Sequence, residues 1–522
     1  MKSIKFYQLF LLGSILSCSP SVESEVETLA KHVDTINTNR ASKTAKEQYG
    51  VWTTNESGSK KLAKTTAINF SGQVSGRSTI EVDSRSTNRA QYIDGFGYTL
   101  TGGSAELIYK LNSTEQSKLL NEFFNNTSVE YPGMEPIKND VLRIAIGGED
   151  LSRTAYTYND LAAGQQDLTL SKFSLSKDLE YKIPILKKIV AINPQIKIIA
   201  TPWSAPAWMK TNNSLKGGRL KPDSNNNGNQ IYYEAYAKYF VKYIQEMKKQ
   251  GITIYAVTPQ NEPLNENNNP SMRMDDWEQV NFIKYHLGPQ LRNASLNVKI
   301  IGFDHNANNA GVNYAKTLLN DNVLSQYLSG TAWHLYGDGN DASYISNLST
   351  IRNFKQDKGI YFTEQWLDRS SGSWNWGDFI WHIENITVGS LNNWSKTAME
   401  WNLASDPNTS IHTPGGCTNC LGAVTINNNT ITRNSTYYSI AHASRFLGDN
   451  AQRLLPKPTN VSGLTYVAFV NDQAPYARVM ILVNSSSSRR DLNLKYTNYD
   501  GVVKYAPISI EGKNVQTYVW QQ

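Results

Sequence analysis

The stretch Tyr255-Ala-Val-Thr-Pro-Gln-Asn-Glu-Pro263 has the pattern of a short apolar strand that ends in an asparagine–glutamate pair. A second stretch, Gly359-Ile-Tyr-Phe-Thr-Glu-Gln-Trp366, also places a glutamate directly after an apolar strand. Polar residues at the carboxyl ends of such strands mark the face where a (β/α)8 barrel carries its chemistry. Hydrolysis of a glycosidic bond requires two carboxylates. Glu262 and Glu364 therefore predict a barrel with glycosidase chemistry.

The chain between residues 91 and 446 alternates short apolar strands with amphipathic helical segments. Two of the helical patterns are Leu179–Val190 and Tyr232–Lys249. This alternation predicts an α/β fold, a (β/α)8 TIM barrel with insertions. The predicted strands are Tyr92–Leu100, Val141–Ile146, Ile196–Thr201, Thr253–Thr258, Val298–Phe303, Gly330–Leu335, Gly359–Thr363 and Thr397–Leu403.

The segments on either side of the barrel have strand patterns without helices. Residues 50–90 contain short alternating stretches such as Leu62–Phe70, and residues 447–522 contain further strands separated by turns. These later strands predict an attached antiparallel β-sandwich, which the strand near residue 65 is expected to join. The predicted later strands are Leu464–Val470, Ala477–Val483, Asp491–Tyr496 and Val515–Trp520.

The first residues have the features of an export signal. A positive end precedes the apolar run Phe6–Leu16, which is too short to span a bilayer. Ile15-Leu-Ser-Cys18 resembles a bacterial lipobox, which implies a signal peptide over 1–18 and lipidation of Cys18. The polar residues 19–49 are predicted to be a flexible tether. We expect a lipoprotein anchored at the outer membrane or cell surface; ordinary cleavage, giving a periplasmic or secreted protein, is the alternative.

The composition excludes several classes of protein. A net charge of +6 over 522 residues gives no nucleic-acid-binding patch. No H-E-x-x-H motif or second Cys-x-x-Cys pair accompanies the three cysteines and seven histidines, so no metal and no cofactor is implied. Cys417 and Cys420 are better explained as a short-loop disulfide than as free thiols. We expect a monomer.

Six of the predicted strands are followed by polar or aromatic residues, and their shared position predicts one pocket. The segments are Arg143-Ile-Ala-Ile-Gly-Gly-Glu-Asp150, Thr201-Pro-Trp-Ser-Ala-Pro-Ala-Trp208, Gln260-Asn-Glu262, Trp333-His-Leu-Tyr336, Thr363-Glu364 and Glu400-Trp401-Asn402.

These motifs carry a specific resemblance. Asn-Glu-Pro on the fourth strand with a glutamate on the seventh is similar to the retaining (β/α)8 glycosidases. Within that group the chain resembles glycoside hydrolase family 30 from about residue 90 to 522. The matching segments are Gly95-Phe-Gly97, Leu142-Arg-Ile-Ala-Ile-Gly-Gly148, Ser204-Ala-Pro-Ala-Trp-Met-Lys-Thr-Asn212, Leu220-Lys-Pro222, Trp401-Asn-Leu-Ala404 and Gln516-Thr-Tyr-Val-Trp520.

The resemblance implies a role for each rim residue. Glu262 resembles the acid/base, for which a raised pKa is expected, and Glu364 resembles the ionised nucleophile. Asn261 resembles the donor to the substrate 2-hydroxyl. Arg143 resembles the cation beneath the nucleophile, with a structural ion pair as the alternative.

Further residues resemble the family's sugar-binding groups. Tyr336 resembles the phenol that bonds the nucleophile, and His334 either lines the same subsite or is a core histidine. Asp150, Trp203 and Trp401 resemble the residues that hold the −1 sugar, because a carboxylate binds hydroxyls and an indole covers an apolar ring face.

The chain departs from the family pattern in two places. Glu149 stands where related chains often carry a small residue, and Gly415-Gly-Cys-Thr-Asn-Cys420 stands where many have Gly-Gly-Pro-Asn, with Asn419 as the candidate for that asparagine.

The resemblance implies a retaining hydrolase of β-linked glucosyl bonds, with endo-β-1,6-glucan the leading substrate. A glucosylceramidase or β-xylosidase of the same family is the first alternative. A non-catalytic glycan-binding lipoprotein is a remote one.

Overall fold

The computed structural model describes residues 49–126, 135–222, 230–336, 342–369, 375–448, 450–457, 459–471 and 477–521. The predicted signal peptide, Cys18 and all but the last residue of the predicted tether lie outside these ranges. Residues Gly50–Gln522 form one compact unit. No helix of the described residues combines the length and the apolar composition needed to cross a bilayer.

The strands fall into the barrel and the sheets that flank it. In chain order they are β1 (Gly50–Asn55), β2 (Ala63–Thr65), β3 (Ser78–Asp83), β4 (Arg89–Tyr92), β5 (Gly95–Thr99), β6 (Val141–Ala145), β7 (Lys197–Thr201), β8 (Ala256–Val257), β9 (Lys299–Asn306), β10 (Leu328–His334), β11 (Gly359–Glu364), β12 (Leu367–Asp368), β13 (Thr397–Asn402), β14 (Ala404–Ser405), β15 (Cys420–Leu421), β16 (Val424–Asn427), β17 (Thr430–Arg433), β18 (Gln452–Leu454), β19 (Leu464–Val470), β20 (Ala477–Asn484), β21 (Arg490–Thr497), β22 (Val503–Ile510) and β23 (Asn514–Gln521).

The helices lie mainly between the barrel strands. They are α1 (Gly102–Lys110), α2 (Ser113–Phe124), α3 (Lys182–Ile192), α4 (Ile231–Lys249), α5 (Asp276–Asn281), α6 (Gly288–Asn293), α7 (Asn309–Asn320), α8 (Asn347–Phe354), α9 (Phe379–His382), α10 (Ser390–Asn392) and α11 (Ser435–Ser444), with π-helical turns at Phe282–Leu287 and Ile383–Gly389.

Eight parallel strands form the barrel, in the order β11, β10, β9, β8, β7, β6, β5 and β13. The sheet closes where Ile360 of β11 bridges Ser395, just before β13. A Cβ on Gly97 of β5 would lie 1.8 Å from the carbonyl oxygen of Val141, so this close approach of two strands requires glycine. The interior is filled by one side chain from each of the other strands: Val141, Ile199, Ala256, Ile301, Ala332, Tyr361 and Met399. The predicted barrel is confirmed.

Two packed sheets adjoin the barrel. The larger has the order β2, β1, β23, β20, β19, β18 and β4, so strands from before and after the barrel share one sheet. The smaller has the order β22, β21 and β3. Buried side chains of both sheets form one core that includes Ile80, Tyr466, Met480 and Leu494. The prediction of a wholly antiparallel sandwich is wrong in one respect, because β3 runs parallel to β21.

Several strand predictions are wrong in their bounds. Only Ala256–Val257 of the predicted fourth strand pairs, and Tyr92 of the predicted first strand belongs to β4 instead of the barrel strand β5. The fifth barrel strand does not end at Phe303 but runs to Asn306, with φ of +72° at Phe303 and +76° at Asp304. The strand continues through these two left-handed residues, although the polar residues after Phe303 had indicated that it ends there. In the N-terminal segment, only Ala63–Thr65 of the predicted strand Leu62–Phe70 pairs, because it lies exposed at a sheet edge. The buried strand there is β1.

Candidate active site

Arg143 occupies the interior of the barrel on β6. Side chains two apart on a strand share a face, so Arg143 lies above Val141 of the barrel core. It is wholly buried, and its Nη1 donates to Glu364 Oε2. Its Nη2 donates to Asn261 Oδ1 at 2.6 Å and to Asp304 Oδ2 at 2.9 Å. One guanidinium thus holds side chains from β11, the segment after β8, and β9.

Glu262 lies opposite, after β8, on a backbone with φ of +45°. Its amide donates to the carbonyl oxygen of Asp304 at 2.9 Å, which fixes this strained position. Its Oε2 accepts hydrogen bonds from Asn265 Nδ2 at 2.7 Å and Asn268 Nδ2 at 3.1 Å. Its Oε1 lies 3.4 Å from His334 Nδ1. The carboxyl group is therefore held on both oxygens.

The two glutamates are close enough to act on one bond. One carboxylate oxygen of Glu262, one of Glu364 and a ring nitrogen of His334 all lie within 4.8 Å of one another. Carboxyl groups about 5–5.5 Å apart are typical of retaining glycosidases, whereas inverting enzymes need about 6.5–9.5 Å to admit a water. The geometry favours the retaining scheme.

The structure does not give Glu262 the raised pKa that was expected. Burial raises its pKa, but the hydrogen bond with His334 and the charges of His305 and His334 outweigh burial and lower the pKa to about 2. For Glu364, burial prevails over His334 and Arg143, so its pKa is raised. The sequence could not predict which glutamate has the lower pKa, because this depends on the charged groups that lie around each carboxyl group.

His334 holds a proton in this cluster. Burial lowers its pKa, but the charge of Glu364 and the hydrogen bonds with Asp304 and Glu262 raise it to about 9. Its Nε2 lies 3.1 Å from Asp304 Oδ1, and the ring is fully buried at the end of β10. His334 is therefore both a buried histidine and a residue that lines the site, so the two alternatives expected for it do not exclude each other.

Asp304 is a site residue that the sequence motifs did not reveal. Its carboxylate accepts hydrogen bonds from Arg143, Thr258 Oγ1 at 2.7 Å and Thr363 Oγ1 at 2.7 Å, and it contacts His334. Burial alone would raise its pKa, but the charge of Arg143 prevails and lowers it. A signal is present in the sequence, because Asp304-His-Asn306 directly follows the predicted fifth strand, whose end is not among the six predicted rim segments.

Tyr336 and Asn306 complete the contacts around Glu364. The Tyr336 hydroxyl donates to Glu364 Oε1 at 3.1 Å, and its backbone amide donates to Asn306 Oδ1 at 2.8 Å. Trp366 stands edge-on to the Tyr336 ring, with 6.5 Å between centroids. The predicted contact between Tyr336 and Glu364 is thus present in the structure.

Trp203 and Trp401 form an aromatic wall beside the carboxylates. Their ring centroids are 5.5 Å apart, and the Arg143 guanidinium carbon lies 5.0 Å from the Trp203 ring centre. Asp150 lies in the same pocket, where burial and the charges of Glu364, Glu149 and Glu262 raise its pKa to about 8. The raised pKa favours the protonated form of Asp150, which can both donate to and accept from a sugar hydroxyl.

The two departures from the family pattern have different surroundings. Glu149 is fully buried and accepts hydrogen bonds from the Gly102 amide at 2.8 Å and Ser152 Oγ at 2.7 Å, so it ties its loop to the start of α1. Cys417 and Cys420 are joined by a disulfide. The Asn419 carbonyl oxygen accepts from the Arg369 amide at 2.9 Å, and its side chain contacts Thr418.

Glu262, His334 and Glu364 have ligand atoms close enough together to surround a metal ion. The Arg143 guanidinium already bonds Glu364, and the imidazole of His334 holds a proton at neutral pH. These positive charges disfavour a cation in the same space.

Comparison with known proteins agrees with this geometry. A model described as the glycosyl hydrolase family 30 TIM-barrel domain matches residues 93–447. The Trichoderma harzianum endo-1,6-beta-D-glucanase BGN16.3 is 32% identical over 406 residues, which are 76% of this chain and 78% of that protein. The Mus musculus lysosomal acid glucosylceramidase is 27% identical over 449 residues, 83% of this chain and 82% of that protein. The solved endo-beta1,6-glucanase BT3312 is 33% identical with a TM-score of 0.78, covering 91% of this chain and 100% of that structure.

The barrel with two adjacent carboxylates at its rim is that of a retaining glycoside hydrolase. The chain belongs to glycosyl hydrolase family 30.

Proposed function

We propose that this enzyme hydrolyses internal β-1,6-glucosidic bonds of glucan with retention of configuration. The observation that carries the reaction type is the placement of Glu262 and Glu364 within 4.8 Å, oxygen to oxygen. The substrate rests on the relatives, because endo-1,6-beta-D-glucanases match at 32–33% identity and the mouse glucosylceramidase at 27%.

The reaction proceeds in two displacements. The Glu364 carboxylate attacks the anomeric carbon while Glu262 protonates the glycosidic oxygen, so the C–O bond breaks and a glycosyl ester forms. Water then attacks the same carbon, Glu262 takes its proton, and the carboxylate of Glu364 leaves. Arg143 and Tyr336 hold Glu364 in line for both steps.

His334 stores the proton that Glu262 must deliver. Its Nδ1 lies 3.4 Å from Glu262 Oε1, a single transfer step. As Glu364 loses its charge to the ester, His334 loses a negative charge that stabilises its cation. Donation through Glu262 to the leaving oxygen is then favoured at the moment when it is required.

The remaining rim residues bind the −1 glucosyl unit. Asn261 is held by Arg143 and is positioned to bond the 2-hydroxyl, an interaction that strengthens in the transition state. Trp203 and Trp401 bind the sugar ring beside it, and Asp150 bonds its hydroxyls.

We further propose that the enzyme is an exported monomer anchored through a lipid on Cys18. The positive end, the apolar run Phe6–Leu16 and the lipobox-like segment support this. Palmitate labelling of the wild-type chain but not of Cys18→Ala, with release of that variant from membranes, tests it. Equal labelling of both chains would contradict the lipid anchor.

The decisive experiment compares linear β-1,6-glucan, glucosylceramide and an aryl β-xyloside as substrates. We expect the glucan to be cleaved fastest, with a series of short oligosaccharides early in the reaction. Glu364→Gln should lose activity by about 10⁴-fold or more. The matched control is Glu400→Gln, since Glu400 is a buried barrel glutamate that pairs with His382 at 2.9 Å. Faster turnover of glucosylceramide, or glucose as the sole early product, would reject endo-glucanase action.

A further inference from the structure

The loop between β14 and β15 spans one side of the sugar pocket. In the second half of the loop, the Thr413 amide donates to the Asp150 carbonyl oxygen at 2.9 Å, and Thr413 Oγ1 donates to the Asn269 carbonyl oxygen at 2.5 Å. Gly416 packs so closely that an added Cβ would lie 2.3 Å from the Asp150 carbonyl oxygen. This part of the loop is therefore fixed to the segment that carries Asp150.

The end of the loop is fixed to β12, which follows Glu364, and to Asn402 of β13. Cys420 and Leu421 form β15, which pairs with β12 just after Glu364. The Cys420 carbonyl oxygen accepts from Asn402 Nδ2 at 3.1 Å, and Asn402 is the residue after Trp401. The loop thus connects three parts of the pocket rim.

The disulfide lies between these two anchored parts, against the aromatic wall. Cys420 is buried in one cluster with Trp203 and Trp401, and the half-buried Cys417 packs against the same cluster. The bond joins residues three apart, with 5.8 Å between their Cα atoms. It encloses a short ring, and a disulfide that closes a short loop adds less to global stability than one that closes a long loop.

We propose that the Cys417–Cys420 disulfide is a positioning element of the −1 subsite. The disulfide holds Asp150 and the aromatic wall of Trp203 and Trp401 against the sugar. This rests on the proposed glucosidase function and assigns the disulfide to substrate binding. The hydrogen bonds of Glu262 and Glu364 go to residues outside the loop, so opening the bond changes substrate affinity more than the chemical step.

The Cys417–Cys420 disulfide can be reduced by a dithiol. A dithiol reductant reaches Cys417, because this residue is only half-buried, and the thiolate of the reductant attacks Cys417 Sγ. Cys420 leaves with its electron pair and takes up a proton. The second thiol of the reductant then releases Cys417, so the reductant becomes a disulfide and the protein gains two thiols.

The test compares oxidised wild type, wild type reduced with dithiothreitol, and the double variant Cys417→Ala/Cys420→Ala. Dinitrophenyl β-glucoside reports kcat and KM, and a thio-linked β-glucoside that is not hydrolysed reports the dissociation constant. We expect reduction to raise KM and that dissociation constant by about tenfold, which is about 1.4 kcal/mol, with kcat changed less than about threefold. Reoxidation should restore the wild type, and the double variant should match the reduced enzyme without responding to dithiothreitol.

The control is Cys18→Ser, because Cys18 is the third cysteine and should not alter the response. Unchanged KM on reduction overturns the inference, and so does a loss of kcat that follows a fall in melting temperature. An oxidised enzyme that is active on β-glucosides but insensitive to reduction rejects the disulfide's role alone. An oxidised enzyme inactive on every β-glucoside rejects the proposed function together with it.

Discussion

Arg143 and Asp304 form an ion pair beneath the two glutamates, with 2.9 Å between Nη2 and Oδ2 and with neither side chain exposed. Asp304 also contacts His334, so one carboxylate compensates two cations. Asp304 thus links Arg143, which bonds Glu364, to His334, which contacts Glu262. Its removal should affect both halves of the reaction.

We predict that Asp304→Asn lowers kcat by more than about 10²-fold and destabilises the fold by about 3–5 kcal/mol, because the charge on Arg143 stays buried with less compensation. Steady-state kinetics and thermal unfolding measure the two effects. Glu400→Gln, which also removes a buried charge from the barrel, is the comparison. Near-wild-type kcat in a folded Asp304→Asn would contradict the positioning role.

The stability of the enzyme should depend on the protonation of His334. Its pKa is raised from 6.5 to about 9, so the stabilisation is complete below pH 6.5 and is lost as the pH rises through about 9. The physical reason is that neutral His334 no longer compensates the buried carboxylates. Unfolding free energies of wild type and His334→Gln should converge over this alkaline range. A difference that is constant from about pH 6 to 10 would show that His334 is neutral throughout.

The division of labour between the glutamates predicts two rescue patterns. Glu364→Ala should regain activity with azide and give product of inverted configuration, because the small nucleophile occupies the position of the lost carboxylate. Glu262→Ala should retain turnover of dinitrophenyl glycosides, whose leaving group needs no proton. Product NMR and azide titration provide the measurements. If the rescue patterns exchange positions, the two assignments are reversed.

Specificity for glucose should depend on Asp150. Galactose has an axial 4-hydroxyl and xylose has no 6-carbon, so either sugar leaves a buried carboxyl group imperfectly bonded. We predict that kcat/KM on aryl β-glucoside exceeds that on the β-galactoside and β-xyloside by roughly 10²-fold or more. Asp150→Ala should reduce these ratios mainly by losing the glucoside. Equal or better turnover of the xyloside by wild type would favour a β-xylosidase.

Much of the site follows from the sequence, because the carboxyl ends of barrel strands must meet on one face. Glu262, Glu364 and Arg143 come from three separate strand segments, and the structure places them in contact or within one sugar's width. Asp304 also directly follows a predicted strand, but the end of that fifth strand is not counted among the predicted rim segments. Its backbone continues there through two left-handed residues, which no apolar alternation signals.

The protonation pattern could not be derived from residue types. Glu262 and Glu364 are the same amino acid in similarly buried positions, yet the pKa of one is lowered and that of the other is raised. The difference arises from the neighbouring charges: His305 and His334 lower the pKa of Glu262, whereas Glu262 and Asp304 add to the effect of burial on Glu364. Sequence motifs identify the residues that titrate, but they do not predict which of them has the higher pKa.

The sheet that contains both β1 and β23 has a consequence for synthesis on the ribosome. Thr53 bonds Gln516 across 463 residues, so β1 has only the short edge strand β2 beside it until β23 has been translated. Such distant pairing is slow and leaves an open strand edge during elongation. The N-terminal flank therefore waits for β23 while the whole barrel between them is synthesised.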